Sequence, residues 1–91
     1  MMYRVKEGFV VRKIGEYVMA VPVGAQTSEM HGMIALSESG ELLWKALEKG
    51  ADVEDLVGIL IDNYEVEKNI ATEDVIKFIN SLSEQGALVN D

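Results

Sequence analysis

The chain has one histidine, His31, and it sits in the uncharged run MHGMIAL, Met30 to Leu36. Imidazole can act as a general base or a metal ligand, but both roles need partners. No acidic residue stands at a strand-compatible spacing to orient the ring. The sequence has no cysteine to serve as nucleophile or thiolate ligand, and one histidine cannot build a multi-histidine metal site. Asp52, Glu54 and Asp55 form an acidic cluster without the alternating oxygen ligands and central glycine of a calcium loop. Helix capping accounts for them, and Glu73-Asp74 suits the N-terminal half of a helix in the same way. Gly24, Gly32 and Gly40 are dispersed, with neither GxGxxG nor GxxxxGK[ST] to cradle a phosphate. These residue types lead to an expectation of no catalysis, no metal and no cofactor.

Composition bounds the rest. The 91 residues are 48% apolar and 26% charged, which fits a single globular domain over residues 1–91. No apolar run approaches the roughly 20 residues of a membrane span, and MMYRVKEGF is too polar for a signal peptide, so a cytoplasmic protein without a membrane partner is expected. Net charge is −8, from 16 acidic and 8 basic residues. Half of the basic ones, Arg4, Lys6, Arg12 and Lys13, lie at the start of the chain, leaving the remainder strongly acidic. Phosphate contacts supply most non-specific nucleic-acid affinity, so this balance argues against a nucleic-acid partner.

The elements that would position any site follow from periodicity. Phe9–Ile14 and Tyr17–Val21 are β-branched or aromatic-rich, and only Gly15-Glu16 separates them. Glycine first in a two-residue loop is the type II′ signature. The hairpin it predicts pairs Ile14 with Tyr17, Val10 with Val21, and Val11 with Ala20. Pro22 ends the second strand's hydrogen bonding, and residues 24–29 form a loop. Met30–Leu36 is expected as a third strand, with Met30, Ile34 and Leu36 on one side and His31, Met33 and Ala35 on the other. Met19 is assigned to the core.

Three helices should follow. The first spans about Glu38 to Lys49, between a Ser37 N-cap and Gly50. Its buried stripe is Leu42, Leu43, Ala46 and Leu47, with Trp44 at the margin. The second opens on Asp52-Val53-Glu54-Asp55, an acidic capping box, and buries Val53, Leu56, Val57, Leu60 and Tyr64. The third starts between Glu67 and Thr72, turns Val75, Phe78, Ile79 and Leu82 inward, and closes at Gly86. The whole is an α+β domain: a three-stranded antiparallel sheet followed by three helices, arranged like a winged helix-turn-helix with its wing at the front.

That architecture raises a nucleic-acid reading, and the third helix tests it. A reading helix needs Arg, Lys, Asn or Gln outward, whereas this one offers Glu73, Asp74, Lys77, Asn80, Ser81, Glu84 and Gln85. Its acids would repel phosphate. The third strand is more informative, because it carries no Lys, Pro or inward charge, the devices that normally protect a sheet edge. Two occupants stay open for that edge: a partner peptide added as a strand, or a neighbouring strand or homodimer copy.

The order of short motifs resembles a known family. Val21-Pro22-Val23, then Gly32-Met33-Ile34-Ala35-Leu36, then Ser37-Glu38-Ser39-Gly40-Glu41-Leu42-Leu43-Trp44 are similar to the PqqD family, also called the RiPP recognition element. The likeness continues through Leu56, Leu60, Tyr64, Val66, Asp74-Val75, Phe78, Leu82 and Gly86-Ala87-Leu88. The resemblance implies a winged-helix-like, non-catalytic peptide chaperone. Such a protein binds the leader of a ribosomally made precursor peptide and presents it to a modifying enzyme, here expected to be of the radical S-adenosylmethionine type. The product could equally be a redox cofactor such as pyrroloquinoline quinone or another modified peptide. The leader would add as an antiparallel strand against Met30, His31, Gly32, Met33, Ile34, Ala35 and Leu36. The opposing helix wall would be Asp74, Val75, Phe78, Ile79 and Leu82, with Lys77 and Ile76 at its margins. His31 stands where the family often has Asn, and Ala35 where Thr is common, so the strand's outer face is less polar here.

Overall fold

The computed structural model describes residues 1–24 and 32–90. Its elements in chain order are β1 (Tyr3–Val5), β2 (Phe9–Ile14), β3 (Tyr17–Pro22), β4 (Ile34–Leu36), α1 (Glu38–Lys49), α2 (Val53–Asn63), α3 (Lys68–Glu84) and β5 (Leu88–Asn90). The predicted α+β order of antiparallel strands and three helices is present. So is the predicted hairpin register, with Ile14 opposite Tyr17, Val10 opposite Val21 and Val11 opposite Ala20. Gly15 has φ 62°, and among the described residues none other than glycine has positive φ, Glu16 included, which is the type II′ pattern.

The sheet order is β2-β3-β4, and a second, two-stranded sheet pairs β1 with β5. Periodicity gave no sign of this second sheet, since each strand is only three residues long. It joins the two ends of the chain, with Lys6 N–H donating to the Ala87 carbonyl at 2.8 Å. On its other side, Tyr3 and Ala51 exchange both backbone bonds, at 2.8 and 2.9 Å. The link between α1 and α2 is thereby fastened to β1.

The caps behave as expected. Ser37 Oγ accepts from Gly40 N–H at 3.0 Å. Asp52 accepts from Asp55 N–H at 2.8 Å while Asp55 accepts from Asp52 N–H at 3.1 Å, completing the capping box.

Core assignments change at Trp44, Leu42 and Met19, and Ala46 is half-buried instead of buried. Trp44 is not marginal but fully buried, and Phe9 meets it edge-on with ring centroids 5.4 Å apart and planes at 79°. The inward stripe of α1 is therefore Gly40, Leu43, Trp44 and Leu47, an i, i+3, i+4, i+7 set, and Leu42 rotates out to half-buried. Met19 lies outside the core. It pairs with Ala35 on the sheet face turned away from the helices, whereas Ala20, Ile34 and Leu36 face inward and are buried.

Candidate functional site

β4 is the outermost strand of its sheet, bonded to β3 alone among the described strands. Which of its backbone groups point outward follows from the hairpin. In a two-residue loop the flanking pair, Ile14 and Tyr17, exchanges hydrogen bonds, and bonded and non-bonded pairs then alternate. The bond from Val23 N–H to the Gly8 carbonyl, 2.7 Å, falls on the same parity. Tyr17, Met19 and Val21 thus bond toward β2, which leaves Val18 and Ala20 to bond toward β4. Their partners are Leu36 and Ile34. The amide and carbonyl of Ala35 consequently point away from the sheet, at the open edge.

The same parity explains why β4 begins at Ile34 and not at Met30. Continuing the register would require Pro22 to donate to residue 32, and proline has no N–H. Gly32 departs from strand geometry with φ 144°, and Met33, 53% exposed, lies just before the strand. Met30 and His31 fall outside the described residues.

A cavity of about 440 Å³ begins where β4 ends. Ser37, Ser39, Gly40 and Leu43 of the β4–α1 segment line one side, Leu60, Tyr64 and Val66 the floor, and Asp74, Lys77 and Phe78 of α3 the far wall. Gly40 permits the close approach of the two walls. A Cβ there would lie 3.1 Å from Ser37 Oγ and 3.4 Å from Phe78 Cε1. The lining is largely apolar, with a carboxylate and an ammonium at the α3 rim, a combination suited to an apolar side chain next to a polar backbone.

Of the helix residues predicted to form a groove wall, the structure places Asp74, Lys77 and Phe78 on the cavity. Val75, Ile79 and Leu82 are core residues, 0%, 6% and 1% exposed, and do not line it. Ile76 is 46% exposed and likewise stands off the cavity. Sequence reasoning assigned Leu43, Leu60 and Tyr64 to the core and Ser37 to a cap alone, so their part in the cavity was missed. A residue that serves both the core or a cap and the cavity carries no separate signal in the sequence.

The surroundings of Tyr64 perturb its phenol. Burial raises its phenol above the usual value of 10.0, and the Glu38 carboxylate adds to the effect. Its hydroxyl makes no hydrogen bond of full geometry. Among the described residues no group of three or more His, Cys, Asp or Glu could hold a metal ion, and no helix is long and apolar enough to cross a membrane.

Known proteins share this fold. TbiB1 in complex with the TbiA(beta) leader peptide matches with a TM-score of 0.75 at 22% sequence identity, over 97% of this chain and 99% of that one. Lasso peptide synthetase B1 complexed with the leader peptide matches with the same score and identity, over 97% of this chain and 98% of its own. At that identity the likeness establishes the fold. No curated protein matches the sequence. The family model for coenzyme PQQ synthesis protein D covers residues 16–88, from the hairpin turn into β5, and the chain therefore belongs to the PqqD family.

Proposed function

We propose that this chain, as a single recognition domain, is a non-catalytic adaptor in the cytoplasm. It captures the leader of a ribosomally made precursor peptide and presents it to a modifying enzyme of the radical S-adenosylmethionine type. The observation that carries the reading is the outward amide and carbonyl of Ala35 beside the Phe78 cavity. An extended peptide added antiparallel to β4 would bond to that backbone, independent of its sequence. A leader side chain turned inward would enter the cavity against Phe78, with Asp74 and Lys77 at its rim. Those pockets would select among leaders. Docking at one end raises the effective concentration of the core segment at the enzyme, and the adaptor needs no chemistry of its own.

Membership of the PqqD family and the leader peptides bound to TbiB1 and lasso peptide synthetase B1 support this reading. The exposed face of α3 supports it against a nucleic-acid role, since Glu73, Asp74 and Glu84 outnumber Lys68 and Lys77 there. The test is an NMR titration of the labelled protein with a synthetic leader of the precursor encoded beside its gene. Amide shifts at Ile34–Leu36 and at Asp74, Lys77 and Phe78 are expected, with Ala35 moving most. Shifts confined to β1, β5 or α2 would refute the docking mode. A mass that doubles with concentration in light scattering, without peptide, would assign the edge to a second copy.

A further inference from the structure

The face of the β2-β3-β4 sheet that turns away from the helices has no described element packed on it. Strand alternation places Val10, Arg12 and Ile14 of β2, Tyr17 and Met19 of β3, and Ala35 of β4 there. Ile14 is 50% exposed and Tyr17 69%. One exposed apolar side chain needs no explanation, but a contiguous set across three strands marks an interaction surface.

Size, charge and position narrow the occupant. Three strands about 4.8 Å apart and six residues rising about 3.4 Å each make a plate of roughly 14 by 20 Å. That is wider than one extended peptide, so a folded surface suits it better than a strand. It is also well below the roughly 800 Å² per side of a stable interface, so it would not hold a lasting dimer by itself. Arg12 is exposed on the plate while Lys13 alternates to the other face, and Glu16 is the one acid of the hairpin, on a chain whose net charge is −8. Two copies meeting plate to plate would bring like charges together, whereas a partner with carboxylates around an apolar patch would be complementary. Finally, Ala35 belongs both to this face and to the open edge. A peptide strand added at β4 would extend the same plate with its own outward side chains.

We propose that this face docks the peptide-modifying enzyme, through an apolar patch ringed by carboxylates that touches adaptor and bound leader together. The inference rests on the adaptor reading above, and the experiment separates the two. The 91-residue chain is titrated with a peptide-modifying radical S-adenosylmethionine enzyme of the same genome, and separately with the synthetic leader. Wild type is compared with Arg12→Glu and Tyr17→Ser, both at exposed positions, after circular dichroism confirms their fold. Each variant should weaken enzyme binding about tenfold or more while leader affinity stays within about twofold. Wild-type enzyme binding should also weaken as salt rises from roughly 50 to 500 mM. Should one variant fail to fold, the other decides. Enzyme affinity equal to wild type in a folded variant, with leader binding intact, overturns the docking face and leaves the adaptor reading standing. Absence of leader binding by the wild type brings down both.

Discussion

β1 and β4 are both three-residue strands, and the fold treats them oppositely. β1 is occupied on both sides, by β5 along one edge and by the Ala51 bridge on the other. β4 is bonded on one side, with the Ala35 backbone turned out at its second edge, and the Phe78 cavity begins at Ser37, where the strand ends. Strand length and apolar content do not separate them. What separates them is whether the surrounding chain completes the hydrogen bonding. The closed strand contributes to holding the ends of the domain together, while the open one leaves donors and acceptors available to another molecule.

The sharpest way to break this comparison is to damage the core beneath the sheet and look for an effect on binding. Trp44→Ala removes the largest fully buried side chain and its contact with Phe9. A loss of about 3–5 kcal/mol is expected in denaturant unfolding. Leader affinity measured on the fraction still folded should be unchanged; a selective loss would mean that the core and the edge are not separable.

A smaller effect on stability, with a larger one on binding, is expected at the open edge. Ala35→Pro removes an outward N–H and leaves the ladder to β3 intact, so leader binding should weaken at least tenfold, about 1.4 kcal/mol. Ile34→Pro is the contrasting variant, because its N–H bonds to β3, and it should lower the unfolding midpoint as well. If the two prolines behave alike, the assignment of outward and inward groups is wrong.

The smallest effect concerns Tyr64. Its phenol is held above its ordinary value, first by burial and then by Glu38, so the folded state favours the protonated form. Stability is then full below the unfolded value of about 10 and declines as pH rises through and above it. Tyr64→Phe should flatten that decline in denaturant midpoints between about pH 9 and 11. Because the hydroxyl makes no full hydrogen bond, the variant should be close to wild type at neutral pH. An unchanged alkaline slope would show that another group is responsible.

Much of this was legible in the sequence because it is local. Gly15-Glu16 set the hairpin register, Ser37 and the Asp52–Asp55 box set two helix starts, and the apolar spacing located three helices. The β1–β5 sheet was not legible, since Tyr3-Arg4-Val5 and Leu88-Val89-Asn90 carry no period and meet only when the ends of the chain converge. The Trp44 error has a different origin. Its position in the helix is close to the edge of the apolar stripe, and only packing against Phe9 turns the core-facing arc toward it. At the site, the open edge and Phe78 could be anticipated, but the start of β4 could not. It depends on the parity of Pro22 within a register that spans three strands. Val75, Ile79 and Leu82 share the apolar character of a groove wall, and their burial on the inner face of α3 is a property of the packed helix alone.

The proline that shortens β4 also bears on time. With the strand held to three residues, a docked peptide could gain only a few backbone hydrogen bonds, each worth about 1 kcal/mol net. Such a clasp releases readily, and tighter binding would have to come from side chains in the cavity. For a protein that hands a substrate on, a short dwell is useful: the processed chain departs and the edge is ready for the next one. In such an adaptor Pro22 would limit residence, through one missing hydrogen on the neighbouring strand.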